Sequence, residues 1–163
     1  MGNPPQLNVP PAMQVYWQDP AGAGNDAIRR YFQAVAPLYS PVGMHYAPFP
    51  ASGPAPAGPY YTVVFANKTL SPGQNDADGY AMVPTHRAYV YLNQLANFSG
   101  NKDAATEEVL AHELGHLAGL SHSVSGVMAP DITPAGVETN LHALDKKQLK
   151  RVGVSLRVLA SGH

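Results

Sequence analysis

The alternation of hydrophobic and polar positions along the chain predicts five β-strands. Several short runs are rich in β-branched and aromatic residues, or alternate between apolar and polar side chains, as expected of strands with one buried face. These runs lie at residues 13–18, 44–49, 60–67, 80–83 and 88–92. Pro84 directly follows the fourth run. This favours an edge position for that strand, because a proline cannot donate a backbone hydrogen bond to a neighbouring strand.

Helical periodicity predicts two helices between and after these strands. The first has apolar residues at i, i+3, i+4 and i+7 starting from Ile28, which form one stripe on a helix. Asn25 or Asp26 can cap its start, and Pro37 is expected to end it. The second helix is predicted to begin with Asp103 as its N-cap and to run to residue 117 or 118.

A third helix is predicted near the C-terminal end. Its apolar positions are Leu141, Leu144, Leu149 and Val152, and Gly153 is expected to close it. The chain therefore orders its elements as strands with one helix first and two helices last. This order predicts an α+β fold, in which three helices pack against a twisted mixed sheet of about five strands.

Length and local composition predict one folded domain with a short tail. Residues 1–12 contain four prolines and show no periodicity, so they are predicted to form an N-terminal tail. Residues 13–163 suit one domain with a single hydrophobic core. Residues 50–59 are rich in proline, glycine and alanine and are predicted to form an exposed loop between two strands.

Charge and residue usage exclude several classes of function. Charged residues make up 13% of the chain and the formal net charge is −1, so no basic surplus favours nucleic acid or an anionic membrane. No apolar run approaches the ~20 residues of a membrane span. The chain has no cysteine, which excludes thiolate metal sites and a cysteine nucleophile. A monomer that binds no membrane or nucleic acid is expected.

The chemistry is concentrated in an H-E-x-x-H sequence on the second predicted helix. His112 and His116 are four residues apart, so both imidazoles lie on one helical face and can reach one metal ion. Glu113 lies at the edge of that face, where it can act on a water molecule as general base without being a ligand. Neutral imidazole is a good zinc ligand, and a catalytic zinc site keeps one position open.

A third histidine completes the ligand set. Gly119 follows His116 by three residues, and His122 follows Gly119 by three more. The glycine is expected to end the helix with a positive φ, so that the chain reverses and His122 returns to the metal. Five fixed positions at about one in twenty each give a chance frequency on the order of 10⁻⁷ per starting residue, so the pattern is specific.

Two other functions use the same histidines. A non-catalytic binding module stabilised by zinc would need the three ligands but not Glu113, which is why that residue favours an enzyme. A zinc hydrolase acting on a non-peptide amide remains open, because the motif does not define the substrate.

The extended motif HELGHLAGLSH resembles that of the metzincin clan of zinc peptidases. The segment SGVMAP, which follows His122 closely, resembles the methionine-containing turn of that clan, with Met128 as its buried methionine. Proline two residues after this methionine is similar to the matrixin branch. AIRRYFQAVAPL and ALDKKQLKRVG also resemble the first and last matrixin helices.

This resemblance implies an active-site cleft over one catalytic zinc ion and a zinc-dependent endopeptidase that uses a metal-activated water. It implies that a protein or peptide substrate lies extended along an edge strand. The residues expected to bind it are Tyr80, Ala81, Met82 and Val83 on that strand, with Pro130 and Ile132 beside the cleaved bond. It also implies a secreted or extracellular protein, although the N-terminal residues do not have the pattern of a signal peptide.

Several features depart from the matrixin pattern. Matrixins usually carry an aromatic residue shortly after the proline of the methionine turn, whereas Asp131 and Ile132 follow Pro130 here. The ligands of a second, structural zinc are incomplete. A calcium ion is a separate alternative: its oxygen ligands would be Asn75, Asp76 and Asp78, although a plain turn also explains such residues.

Overall fold

A computed structural model of the protein describes residues 12–68, 77–96, 98–123, 126–129 and 144–161. Its five strands are β1 (Met13–Gln18), β2 (Met44–Pro48), β3 (Tyr61–Ala66), β4 (Gly79–Met82) and β5 (Arg87–Tyr91). All five agree closely with the strands predicted from the sequence. Residues 1–11 of the predicted tail and the Leu141 end of the third predicted helix lie outside the described residues.

The strands form one mixed sheet in the order β2-β1-β3-β5-β4. The first three pairings are parallel, and β4 alone runs antiparallel, along β5. β1 alternates between buried and half-buried residues, because Met13, Val15 and Trp17 face the helices. β3 is buried from Tyr61 to Phe65, as expected of the central strand. The predicted edge position of the fourth strand is confirmed.

In the described part of the chain, four α-helices accompany the sheet: α1 (Asn25–Val35), α2 (Leu92–Leu95), α3 (Lys102–Leu117) and α4 (Lys146–Ala160). The three long ones confirm the predicted helices, whereas the single turn of α2 was not predicted. α1 continues into a 3₁₀ turn (Ala36–Tyr39) that contains Pro37. α3 packs against α1 on one side and against β4 and β5 on the other, so it lies next to the edge of the sheet.

Both predicted N-caps are wrong. α1 begins after Gly24 without a side-chain cap, because the Asn25 side-chain oxygen accepts a hydrogen bond from the Trp17 indole at 3.0 Å. α3 is capped by Asn101, whose side chain accepts from the Ala104 amide at 3.0 Å. Asp103 lies instead in the first turn of α3, where the helix dipole still favours a negative charge.

The predicted end of the last helix at Gly153 is also wrong. α4 runs through this residue to Ala160, and Gly153 is buried within the helix. A helix stops at a glycine when that glycine takes a positive φ, and Gly153 is not among the residues that do. The helix begins with a capping box between Asp145 and Gln148. Among the described helices, none combines the length and the apolar character that a membrane crossing requires.

Candidate metal centre and active site

Helix α3 carries the first two histidines of the motif. Its middle and last turns are largely buried under the sheet and α1, while His112 and His116 are half-buried on the side that faces the protein surface. Because the two residues are one helical turn apart, their rings lie close, with centroids 4.6 Å apart. Their spacing in the sequence alone thus produces half of the candidate site.

A sharp corner after α3 brings in the third histidine. The helix ends at Leu117, and Gly119 adopts a φ of +96°, as predicted. The Leu120 amide then donates to the Gly115 carbonyl at 2.8 Å, which closes the turn. The reversed chain places the ring of His122 5.2 Å from that of His112 and 4.8 Å from that of His116.

The three histidines form a group that can hold one metal ion. One ring nitrogen from each lies within 4.8 Å of the other two. Within the described ranges, no other cluster of histidine, aspartate or glutamate residues meets this criterion. The prediction that the motif histidines converge is therefore supported by the geometry of the structure.

Backbone carbonyl groups determine which nitrogen each helical histidine offers. Nδ1 of His112 lies 2.7 Å from the Val127 carbonyl oxygen, and Nδ1 of His116 lies 2.9 Å from that of Leu120. A carbonyl oxygen only accepts, so both Nδ1 atoms are the protonated donors and both Nε2 atoms carry a lone pair. Such an outer hydrogen bond from a ligand histidine to a carbonyl is the usual arrangement at metal sites.

The two Nε2 atoms are only 3.0 Å apart. Two lone pairs at that distance repel each other unless a cation lies between them. Zinc–nitrogen bonds of 2.0–2.1 Å in a tetrahedral site separate two nitrogens by about 3.3 Å, close to the distance found here. The tautomers and the spacing of the two helical histidines thus fit a zinc ion.

Burial keeps the two helical histidines neutral. The pKa of His112 is lowered to about 4, mainly by burial and to a smaller extent by the neighbouring His116 and His122, against the opposing effect of the Val127 carbonyl. Burial also lowers the pKa of His116, and His122 acts in the same direction. Neutral imidazole is the form that binds a metal, so the site is prepared for metal binding at neutral pH.

Glu113 lies beside the histidines on α3 and is only 6% exposed. Burial raises the pKa of its carboxyl group to about 7. Its carboxylate lies against the edge strand: a Cβ atom added at Gly79 would be 2.7 Å from Oε2 of Glu113 and 3.0 Å from the Tyr89 carbonyl oxygen. Only a glycine allows β4 to approach the carboxylate this closely. This role of Gly79 was not predicted from the sequence, because an Asp-Gly pair is also typical of a turn.

Met128 is completely buried, as predicted, and packs on the helix between the histidines. A Cβ atom added at Gly115 would lie 2.5 Å from the Met128 sulfur and 3.3 Å from the Tyr39 hydroxyl. The Tyr39 hydroxyl in turn donates to the Ala111 carbonyl oxygen, one residue before the first ligand. Gly115 was missed because it occupies a variable position of the motif. The sequence does contain a hint of its role: a glycine inside a helix is destabilising, so its presence there indicates close packing against another group.

The other predicted site residues divide into two groups. Tyr80 and Met82 are exposed on the edge strand β4, where an extended peptide can pair, and Ala81 is half-buried against the core. Val83 is exposed too, but the strand ends at Met82 and Val83 begins a 3₁₀ turn (Val83–Thr85) that contains Pro84. Pro130, Asp131 and Ile132 lie outside the described residues, as do Asn75 and Asp76 of the alternative calcium site. The roles of these residues stay predictions.

The solved structures with a similar fold include two archaemetzincins and a zinc-dependent peptidase. An archaemetzincin from Methanopyrus kandleri matches with a TM-score of 0.64 and 17% identity, over 90% of this chain and 96% of that one. An archaemetzincin from Archaeoglobus fulgidus, solved with malonate, matches with a TM-score of 0.57 and 14% identity, over 85% of this chain and 99% of that one. A zinc-dependent peptidase from Methanocorpusculum labreanum matches with a TM-score of 0.59 and 13% identity, over 86% of this chain and 100% of that one. No curated protein sequence matches this chain.

The fold is that of the archaemetzincins, and it brings together a group of three histidines that can hold a metal ion. The particular family follows from the sequence, because the matrixin family model matches residues 59–152, more than half of the chain. The chain belongs to the matrixin family. Both the resemblance and the α+β class predicted from the sequence are confirmed.

Proposed function

We propose that the protein is a zinc-dependent endopeptidase in which His112, His116 and His122 bind the metal and Glu113 is the general base. The observation that carries this proposal is the convergence of three ring nitrogens within 4.8 Å of one another. Carbonyl oxygens orient two of these rings so that each offers Nε2. A zinc ion held there would polarise the scissile carbonyl and lower the pKa of water toward ~7.

Glu113 has the environment that a general base needs. It is one residue from a ligand, nearly buried, and adjacent to the strand along which a peptide would lie. In the proposed reaction, Glu113 accepts a proton from the attacking water as the new carbon–oxygen bond forms. It then donates that proton to the amine nitrogen as the carbon–nitrogen bond breaks, so that the carboxylate is regenerated. The positive charge of a metal would hold the Glu113 pKa below the value that burial alone gives.

The substrate is proposed to pair with β4 as an extended strand. This strand is at the edge of the sheet, so its outer backbone groups are available for main-chain hydrogen bonds. Such pairing is independent of sequence, and selectivity then comes from side-chain pockets. We propose loose specificity for an apolar residue on the amine side of the cut, in a pocket bordered by His116 and by Pro130 and Ile132 of the segment that follows Met128.

The decisive experiment measures bound zinc and cleavage of an unfolded protein in the same preparation, with and without a chelator. The proposal expects about one zinc per chain, internal cleavage, and loss and recovery of activity on zinc removal and return. A preparation that contains zinc but cleaves no protein would indicate the non-catalytic module or the hydrolase of a non-peptide amide. That result would contradict the peptidase assignment. Release of terminal residues only would overturn the endopeptidase part.

Cell location and oligomeric state are smaller proposals. An extracellular site of action is proposed from family membership, and fractionation of host cells with an antibody tests it. A monomer is proposed because the described part of the site is formed by one chain. Light scattering during size exclusion tests this, and a mass near twice 17.3 kDa would contradict it.

A further inference from the structure

The C-terminal helix contacts the corner that follows the metal-binding helix. Nε of Arg151 on α4 donates a hydrogen bond to the Gly119 carbonyl oxygen at 2.8 Å. One turn further along, the Ser155 hydroxyl lies where a Cβ of Gly119 would be. Because Arg151 and Ser155 are four residues apart, they lie on one face of α4 and touch the same residue.

This contact acts on a peptide group that is held at both ends. The carbonyl of Gly119 and the amide of Leu120 belong to one planar peptide unit. Arg151 holds its oxygen, and the Gly115 carbonyl accepts its N–H at 2.8 Å. Two opposed hydrogen bonds therefore define the orientation of this plane.

The orientation of this peptide plane affects the placement of two of the three histidines. The next carbonyl along the chain, that of Leu120, accepts from Nδ1 of His116 at 2.9 Å and so orients that imidazole. His122 follows Leu120 by two residues, so its position depends on the direction in which the corner leaves α3. A rotation of the plane would move an acceptor of one ligand and the backbone of another.

We propose that Arg151 is a positioning residue of the metal centre, which it supports through the Gly119 carbonyl from a helix outside the zinc motif. The inference rests on the proposed zinc site. Arg151 is exposed and part of a basic stretch that otherwise looks like a solvated helix face. Its position relative to the corner is what distinguishes it from Lys150.

The chain allows a test that separates the hydrogen bond from the charge. A glutamine at position 151 places its amide nitrogen the same number of bonds from Cα as Nε of arginine, without a charge. A methionine of similar length has no donor there. The matched variants are R151Q and R151M, with R151A as a second variant without a donor and K150M as a control for the loss of one positive charge on the same helix.

The measurement is zinc affinity by competition with a chelator of known affinity, together with the absorption spectrum of the cobalt-substituted protein. We expect R151M and R151A to bind zinc about 10- to 100-fold more weakly, as is typical when an outer contact of a metal site is lost. R151Q should be within about threefold of the parent, as in K150M, because both retain the donor. The cobalt spectrum should shift in R151M and not in K150M, which a merely structural role would not produce.

Each result decides the question. Parental zinc affinity and an unchanged cobalt spectrum in R151M would overturn the inference. Equal weakening in R151Q and R151M, or in K150M and R151M, would also overturn it, since the donor would then not be the cause. If neither R151M nor R151A folds, as judged by circular dichroism, Arg151 is a general structural residue and the inference fails. These results do not depend on peptide cleavage: a parent that binds zinc but cleaves nothing would sink the proposed function and leave this test intact.

Discussion

The helical half of the candidate metal centre and its corner half are built by different means. His112 and His116 lie on one face of α3, half-buried, with both Nδ1 atoms bonded to backbone carbonyls. His122 is exposed and reaches the same point only through the reversal at Gly119. The helical pair depends on local spacing, whereas the corner depends on contacts with other parts of the fold. Disruption of the two halves should therefore have different consequences.

The largest effect is expected at the helical half, from a change that leaves the ligands in place. E113Q removes the proposed base but keeps nearly the same shape, so zinc content and thermal stability should remain close to parental. Turnover should fall by roughly 10²- to 10⁴-fold, the usual contribution of a general base. Peptide hydrolysis and zinc analysis on the same sample test this, and a parental rate would remove Glu113 from the mechanism.

In the corner half, H122A removes the histidine that the reversal at Gly119 brings to the site. The imidazole is exposed, so its loss should change the stability of the metal-free protein by less than about 0.5 kcal/mol. Zinc affinity should fall roughly 100-fold or more, because one of three protein ligands is lost and each carries a few kcal/mol of binding. Chelator competition and chemical denaturation of the metal-free form measure the two quantities.

The matching change in the helical half, H112A, sharpens the comparison. It should lose similar zinc affinity and also destabilise the metal-free protein, since a half-buried ring bonded to the Val127 carbonyl is removed. Equal stability of the metal-free H112A and H122A proteins would argue against the difference between the two halves.

A smaller effect is expected from G119A, which acts on the corner itself. The alanine must adopt a φ of +96°, which is unfavourable for a residue with a Cβ atom, and that Cβ would also collide with Ser155. We expect a loss of about 1–3 kcal/mol in the free energy of unfolding, together with weaker zinc binding. G53A is the control, because Gly53 has a φ of +82° with nothing within 4 Å of an added Cβ. If G119A costs no more than G53A and binds zinc normally, the contact with α4 does not matter.

The smallest effect is expected from M128L, a change in the residue that packs beneath the helical half. Met128 is fully buried against Gly115, and leucine is similar in volume but branched. The cost should be under about 1.5 kcal/mol, with most activity retained, because the thioether is proposed to pack and not to bind the metal. Thermal unfolding and the hydrolysis rate measure both. A large loss of zinc from M128L would contradict this role.

Periodicity predicted most of the elements because each has its own regular pattern. The alternation in β1 and the apolar run of β3 predicted strands that the structure contains almost residue for residue. Caps and ends were harder. Asn25 can cap a helix by its chemistry, but its side chain is bonded to Trp17. Gly153 resembles a helix terminator, yet it lies buried within α4.

The amino-acid sequence by itself determined the three candidate ligands, the spacing of two of them on a helix and the glycine at which the chain reverses. These follow from helical geometry and from the backbone freedom of glycine, both of which are local. Only the tertiary structure decided why Gly79 and Gly115 lack side chains, since the groups that fill their space belong to Glu113 and Met128. It also decided that Arg151, 32 positions after Gly119, holds the corner. The physical reason is that close approach and hydrogen bonding between distant segments leave no periodic signal in a sequence.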